Sequence, residues 1–196
     1  MFLVDSHCHL DSLDYEKLHE NIDDVVEKAQ QRDVQYMLAV ATTLPGFKNM
    51  RELIGKRDNI AFSCGIHPLN LDEGYDVEEL ALLAAAPDVV ALGETGLDYY
   101  YQQENAALQR EIFREHIRIG RQVNKPVIVH TRSAREDTLS ILKEENVQDC
   151  GGVLHCFTED KETATALLDL GMFISFSGIL TFRNAEQIIE AAKAAY

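Results

Sequence analysis

Five of the seven histidines in this chain, His7, His9, His67, His130 and His155, fall at or just past the C-terminal ends of short apolar runs. His19 and His116 lie in or beside helical stretches and read as solvated or capping residues. Neutral imidazole is the commonest metal ligand, so imidazoles gathered at strand ends make a candidate cation site. In Asp5-Ser6-His7-Cys8-His9 the two histidines are two residues apart, and in extended chain both rings point to one side and can grip one ion. Taken alone the pair is a weak signal, for which two hydrogen-bonded histidines at a strand end are the plainer reading. His130, ending Val127-Ile128-Val129-His130, and His155, ending Gly152-Val153-Leu154-His155, supply imidazoles from other strands. Glu94 follows the apolar run Val89 to Leu92 and adds a carboxylate, whose two oxygens can bridge two ions ~3.5–4 Å apart. Its alternatives are a helix cap or an arginine partner. Two cations at such a mouth would lower the pKa of a water toward ~7 and offset charge on a phosphate oxygen. Such chemistry needs no Ser or Cys nucleophile, and no Gly-x-Ser-x-Gly elbow is present.

Several neighbours could assist. His67 and Arg132 also follow strand ends and could donate to a substrate phosphate, which Arg grips with two parallel bonds. The plainer readings are a turn residue held by Pro68 and an ion pair with Glu136 or Asp137. Asp5 shares the parity of His7 and His9, which suits an acceptor orienting an imidazole, a helix cap or a buried carboxylate. Cys8 and Cys156 adjoin the histidines, and on strands they would point to the opposite face as small apolar groups. Tyr99, Tyr100 and Tyr101 either stack on bases or pack over the rim.

The elements that must position these residues alternate short strands with longer helices, the pattern of an α/β parallel sheet. The strands expected are Phe2 to Ser6, Tyr36 to Ala41, Ile60 to Cys64, Val89 to Leu92, Pro126 to His130, Gly151 to His155 and Met172 to Ser177. Helical periodicity marks Ile22 to Arg32, Val77 to Ala86, Gln103 to Val123, Ala134 to Glu144, Lys161 to Leu170 and Asn184 to Ala195. About seven strand-helix units without a dinucleotide glycine fingerprint favour a TIM (β/α)₈ barrel over a doubly wound sheet, although periodicity alone does not separate them. A barrel takes about 250 residues. The 196 residues are therefore expected to form one barrel domain, C-terminally incomplete after Tyr196.

Composition narrows the function classes. With 46% hydrophobic and 26% charged residues the chain can bury a core. No apolar run approaches the ~20 residues of a membrane span, and no secretory signal opens the chain, so a cytoplasmic setting is expected. The 33 acidic residues outnumber 18 Lys plus Arg for a net charge of −15, which argues against a wide basic nucleic-acid groove. The four cysteines form no CxxC pair and read as reduced thiols.

Taken together, the blocks Asp5-Ser6-His7-Cys8-His9-Leu10-Asp11, Gly65-Ile66-His67-Pro68, Gly93-Glu94-Thr95-Gly96-Leu97-Asp98-Tyr99-Tyr100, Val127-Ile128-Val129-His130-Thr131-Arg132, Leu154-His155-Cys156-Phe157-Thr158 and Ser175-Phe176-Ser177-Gly178 resemble the TatD family of metal-dependent hydrolases, in its cytoplasmic bacterial branch. The resemblance implies a TIM barrel, two divalent metals and hydrolysis of ester bonds, with DNA phosphodiesters as the usual substrate class. It implies His7 and His9 on a first metal, His130 and His155 on a second, and Glu94 as the bridging catalytic carboxylate. The family's Glu-Thr-Asp block on the last strand, with a further aspartate ligand, has no counterpart before Tyr196.

The function expected is a divalent-metal-dependent phosphodiesterase or deoxyribonuclease acting on DNA ends, with weak, steeply salt-dependent affinity for long DNA. The alternatives are an amidohydrolase-type enzyme for a small amide, lactone or phosphoester, and an inactive truncated fragment that retains metal ligands. His and carboxylate ligation suits Zn, Mn, Fe or Ni, and Mg less well. No membrane and no obligate protein partner are indicated.

Overall fold

The computed structural model describes residues 2–195. Seven strands, β1 (Leu3–Cys8), β2 (Val34–Val40), β3 (Ile60–Cys64), β4 (Val89–Asp98), β5 (Val127–Arg132), β6 (Gly152–Leu154) and β7 (Phe173–Ile174), form one sheet. Every neighbouring pair is parallel, and the order in space is the order in the chain. A doubly wound sheet reverses its order at a switch point and this one never does, which settles the architecture as barrel-like. Curvature follows from one contact: the His7 ring of β1 stacks on His155, just past β6, with centroids 3.5 Å apart. In a flat sheet five spacings of ~4.8 Å would separate those strands. The sheet is thus curled into a half-barrel.

The crossovers are α1 (Ile22–Gln30), α2 (Leu44–Ile54), α3 (Val77–Ala84), α4 (Ala106–Val123), α5 (Arg135–Glu144) and α6 (Lys161–Asp169), and α7 (Glu186–Ala194) follows β7. Asn21, Asp76 and Asp160 cap their helices by accepting backbone N–H groups, and acidic residues follow in each first turn, where they complement the helix dipole. The helix α2 has no counterpart among the helices expected, and Pro45-Gly46, a pair that commonly marks turns, falls in its first turn. Proline is tolerated in the first helical turn, and the Thr43 side chain accepts from Gly46 N–H. Among the described residues no helix is long and apolar enough to cross a membrane.

Two apolar layers result from the strand alternation. Val127 and Val129 of β5 pack outward with Phe47, Phe62, Phe113 and Leu142 in the main core between sheet and helices. Ile128 points inward with Val40 and Ala91, with Leu38 and Val153 against them. His130 continues the inward parity of Ile128, so the residue that ends the strand faces the axis.

Candidate metal centre

Strand β4 runs past its expected end at Leu92 to Asp98, so Glu94 lies within the strand rather than after it. Ala91 faces inward and Leu92 joins the outer core, so strict alternation would aim Glu94 at the helices. A register irregularity between Leu92 and Thr95 resets the parity and turns Glu94 toward the histidines. Gly93 makes this possible: its φ is 137°, and a Cβ there would lie 2.6 Å from the Ile128 carbonyl oxygen.

The Glu94 carboxylate is buried and its two oxygens face different imidazoles. Oε2 lies 3.3 Å from His7 Nε2 and 3.9 Å from His9 Nε2. Oε1 lies 3.5 Å from His130 Nδ1 and 3.7 Å from His67 Nε2. Burial opposes a charge on Glu94, but the surrounding imidazoles, His130 and His7 foremost, outweigh it and hold the carboxyl far below its ordinary pKa. Donor atoms of His7, His9 and Glu94 form one group within 4.8 Å of one another, and those of His67, Glu94 and His130 form another. The spacing of each suits a metal ion, which in the second group would be held by Glu94 and His130, because His67 Nε2 bears a proton.

The backbone and a second carboxylate decide which ring nitrogen faces inward. His9 Nδ1 lies 2.9 Å from the Val40 carbonyl, to which its N–H donates, leaving the Nε2 lone pair toward Glu94. His130 Nε2 donates to Asp98 Oδ2 at 3.0 Å, leaving Nδ1 inward. Burial works against charge on His130, yet Glu94 and Asp98 raise its pKa. His67 is oriented the other way: its Nδ1 accepts from Leu69 N–H, so Nε2 carries the proton into the site. Burial lowers its pKa to about 4, which keeps the ring neutral. His7 Nε2 is buried with no hydrogen-bond partner among the described residues. An orphaned nitrogen and inward lone pairs around one carboxylate are what a cation satisfies, so the residues fit the metal implied by the histidine pattern.

His155 falls outside both groups, and its ring lies flat on His7, 6° from parallel. Burial lowers its pKa to about 4. His130 therefore clusters with His67, whereas the pairing carried over from family motifs sets it with His155. Both His130 and His155 line a cavity of about 400 Å³ that reaches Arg132 and Thr158. Arg132 makes no ion pair with Glu136 or Asp137; its guanidinium carbon sits 4.3 Å from the Tyr100 ring centroid and 4.8 Å from that of Tyr101.

Other residues depart from expectation. Asp5 is exposed and accepts the backbone N–H of His7, so it orients no imidazole. Cys8 does pack on the helix side, donating to the Leu38 carbonyl, and burial pushes its thiol up to about 12. Cys156 lies beyond β6 at φ 49°, beside the Ser177 hydroxyl, and not on a strand. His116 is wholly buried rather than solvated or capping: Nδ1 donates to the Ile112 carbonyl and Nε2 accepts from Ile66 N–H, the residue before His67. Asp98 shares a sequence block with Glu94, yet its role is not legible there, because sequence carries no sign of which histidine a carboxylate will touch.

A family model described as TatD related DNase matches residues 4–196. The chain is 69% identical over 193 residues to an uncharacterized metal-dependent hydrolase, YcfH of Escherichia coli (strain K12), covering 98% of this chain and 73% of that one. It is 32% identical over 158 residues to the 3'-5' ssDNA/RNA exonuclease TatD of Shigella flexneri, covering 80% and 61%. Among solved structures, YJJV, a TatD homologue from Escherichia coli K12, superposes with a TM-score of 0.85 at 25% identity, over 96% of this chain and 73% of that one.

Proposed function

Because the chain belongs to the TatD-related family of metal-dependent hydrolases, we propose that it is a phosphodiesterase that trims the ends of DNA, with single strands favoured. The observation that carries this reading is the split of Glu94: one oxygen faces His7 and His9 and the other faces His67 and His130. That division would let one carboxylate serve two divalent cations, one that would be held with His7 and His9 and one with His130. Zn, Mn, Fe or Ni suit such ligands best and Mg less well. When bound, the ions supply Lewis-acid charge against a phosphate oxygen and lower the pKa of a water toward ~7.

The chain's own residues do the rest. His7, His9 and His130 bring their inward nitrogens to the carboxylate, and Asp98 and the Val40 carbonyl keep two of those rings from turning. His67 holds an Nε2–H toward the same centre and donates to a phosphate oxygen. Arg132, which lines the same cavity as His155, offers a charge to a neighbouring phosphate. Single strands are favoured because a net charge of −15 repels long duplex over most of the surface, and the relative from Shigella flexneri is named for single-stranded substrates. The four cysteines are unpaired, which suits the reducing cytoplasmic setting we also propose.

Turnover tests the reading. The metal-loaded protein is expected to shorten single-stranded oligonucleotides and to hydrolyse bis(4-nitrophenyl) phosphate, and Glu94→Gln to lose both. Turnover of lactones or cyclic amides without any phosphodiester would replace it with the amidohydrolase-type alternative.

A further inference from the structure

We propose that Tyr100, Tyr101 and Arg132 form a platform that takes one unpaired nucleobase beside the attacked phosphate, an inference that rests on the phosphodiesterase reading of the same site. The two tyrosines stand in the turn after β4 and are 62% and 60% exposed. Rim packing would bury them, as it half-buries Tyr99, whose hydroxyl donates to Asp137. Their rings meet edge to face with centroids 4.8 Å apart, and the Arg132 guanidinium lies over both. Ring surface is left open for a further planar group, and base-aromatic stacking is tolerant of sequence.

Charge and placement narrow the ligand to a nucleotide. Seven of the ten arginines pair with carboxylates. Arg132 pairs with none among the described residues, although 33 acidic residues surround it in the sequence, and its charge is held by aromatic faces instead. Arg132 lies two residues beyond His130 on β5, hence on the same face and ~6.6 Å further out. Both line the cavity of about 400 Å³. The backbone N–H groups of Tyr100 and Tyr101 donate to Asp98 Oδ1, and the other oxygen of that buried carboxylate holds His130. One side chain therefore sets both the platform and an imidazole of the metal centre. An anion carrying a flat, unstacked ring fits this surface, whereas inside a duplex each base is stacked on both faces and paired along its edge.

Equilibrium binding separates the platform from catalysis, because it needs no turnover. Fluorescence anisotropy in EDTA is expected to show a short labelled thymidine oligomer binding more tightly than a hairpin duplex of equal length. The double variant Tyr100→Ala/Tyr101→Ala is expected to weaken the oligomer by about tenfold or more. Tyr100→Phe/Tyr101→Phe keeps the rings and is expected to retain affinity, and an oligomer with abasic terminal sites is expected to bind the unaltered protein as weakly as the intact oligomer binds the alanine variant. Equal binding of intact and abasic oligomers, unchanged affinity in the alanine variant, or no binding of single strands would overturn the platform. Failure of the phosphodiesterase reading registers separately, as absent hydrolysis of bis(4-nitrophenyl) phosphate by the metal-loaded protein.

Discussion

Asp98 and His130 are joined by a 3.0 Å contact between Oδ2 and Nε2, at the point where β4 and β5 run out beside each other with Asp98 opposite Arg132. The carboxylate is 1% exposed, so the contact is made out of water, where its orienting effect is strongest. It fixes the ring so that Nδ1 faces Glu94.

Removing that acceptor's charge should loosen the imidazole without emptying the site. Asp98→Asn is expected to lower metal affinity or turnover by about 10–100-fold, the usual cost of losing the carboxylate behind a ligating histidine. Calorimetric titration of the metal-free protein with Zn²⁺ or Mn²⁺ measures it. Affinity and rate both equal to the unaltered protein would show that His130 needs no orienting partner.

Metal content should track the Glu94 split. Elemental analysis is expected to find the metal-loaded protein depleted of metal in Glu94→Gln and in His7→Ala, since each removes a donor from a group that spans 4.8 Å. His19→Ala is the control, because that ring pairs with Asp24 on α1. Unchanged content in the first two variants contradicts the shared-carboxylate arrangement.

Acid should act on the buried pin behind His67. Burial lowers the His116 pKa from 6.5 to about 4, against a smaller opposite pull from the Ile112 carbonyl. Between those values the unfolded chain takes up a proton that the fold refuses. The contribution is therefore complete above pH 6.5, worth about 3 kcal/mol, and is lost as pH falls toward 4. His116→Phe leaves Ile66 N–H without its acceptor and is expected to cost about 1–3 kcal/mol at neutral pH. Urea unfolding across the window should show the gap between the two proteins narrowing as pH falls; a constant gap contradicts burial of a neutral ring.

Backbone space at Gly93 is equally testable. Gly93→Ala places a Cβ 2.6 Å from the Ile128 carbonyl oxygen at a φ of 137°. A loss of at least about 1–3 kcal/mol is expected, with weakened metal binding because Glu94 is the next residue. Thermal unfolding checks the first effect, and a melting temperature equal to that of the unaltered protein rules it out.

Local pattern made much of the scaffold readable. The expected strand Ile60 to Cys64 coincides with β3, and the expected helices match α1 and α3 to α7 within three residues at each end, because their apolar periodicity, joined by polar caps at α1, α3 and α6, is a property of neighbouring residues. Glycine and proline obscure that periodicity: Pro45-Gly46 masks α2, and Gly93 and Gly96 mask the second half of β4. The expected final strand, Met172 to Ser177, shrinks to Phe173–Ile174 because β6, its partner, has only three residues.

What the chain determined by itself was a set of imidazoles and one carboxylate at the ends of parallel strands, since residue type and parity are local. Only the folded sheet decided that Glu94 turns inward through a register shift, that His67 offers a proton while His9 and His130 offer lone pairs, that His155 lies against His7, and that Asp98 ties His130 to the tyrosine turn. Those facts depend on curvature and on contacts between strands far apart in sequence, and no spacing along the chain encodes which atom of a ring or carboxylate meets its partner in space.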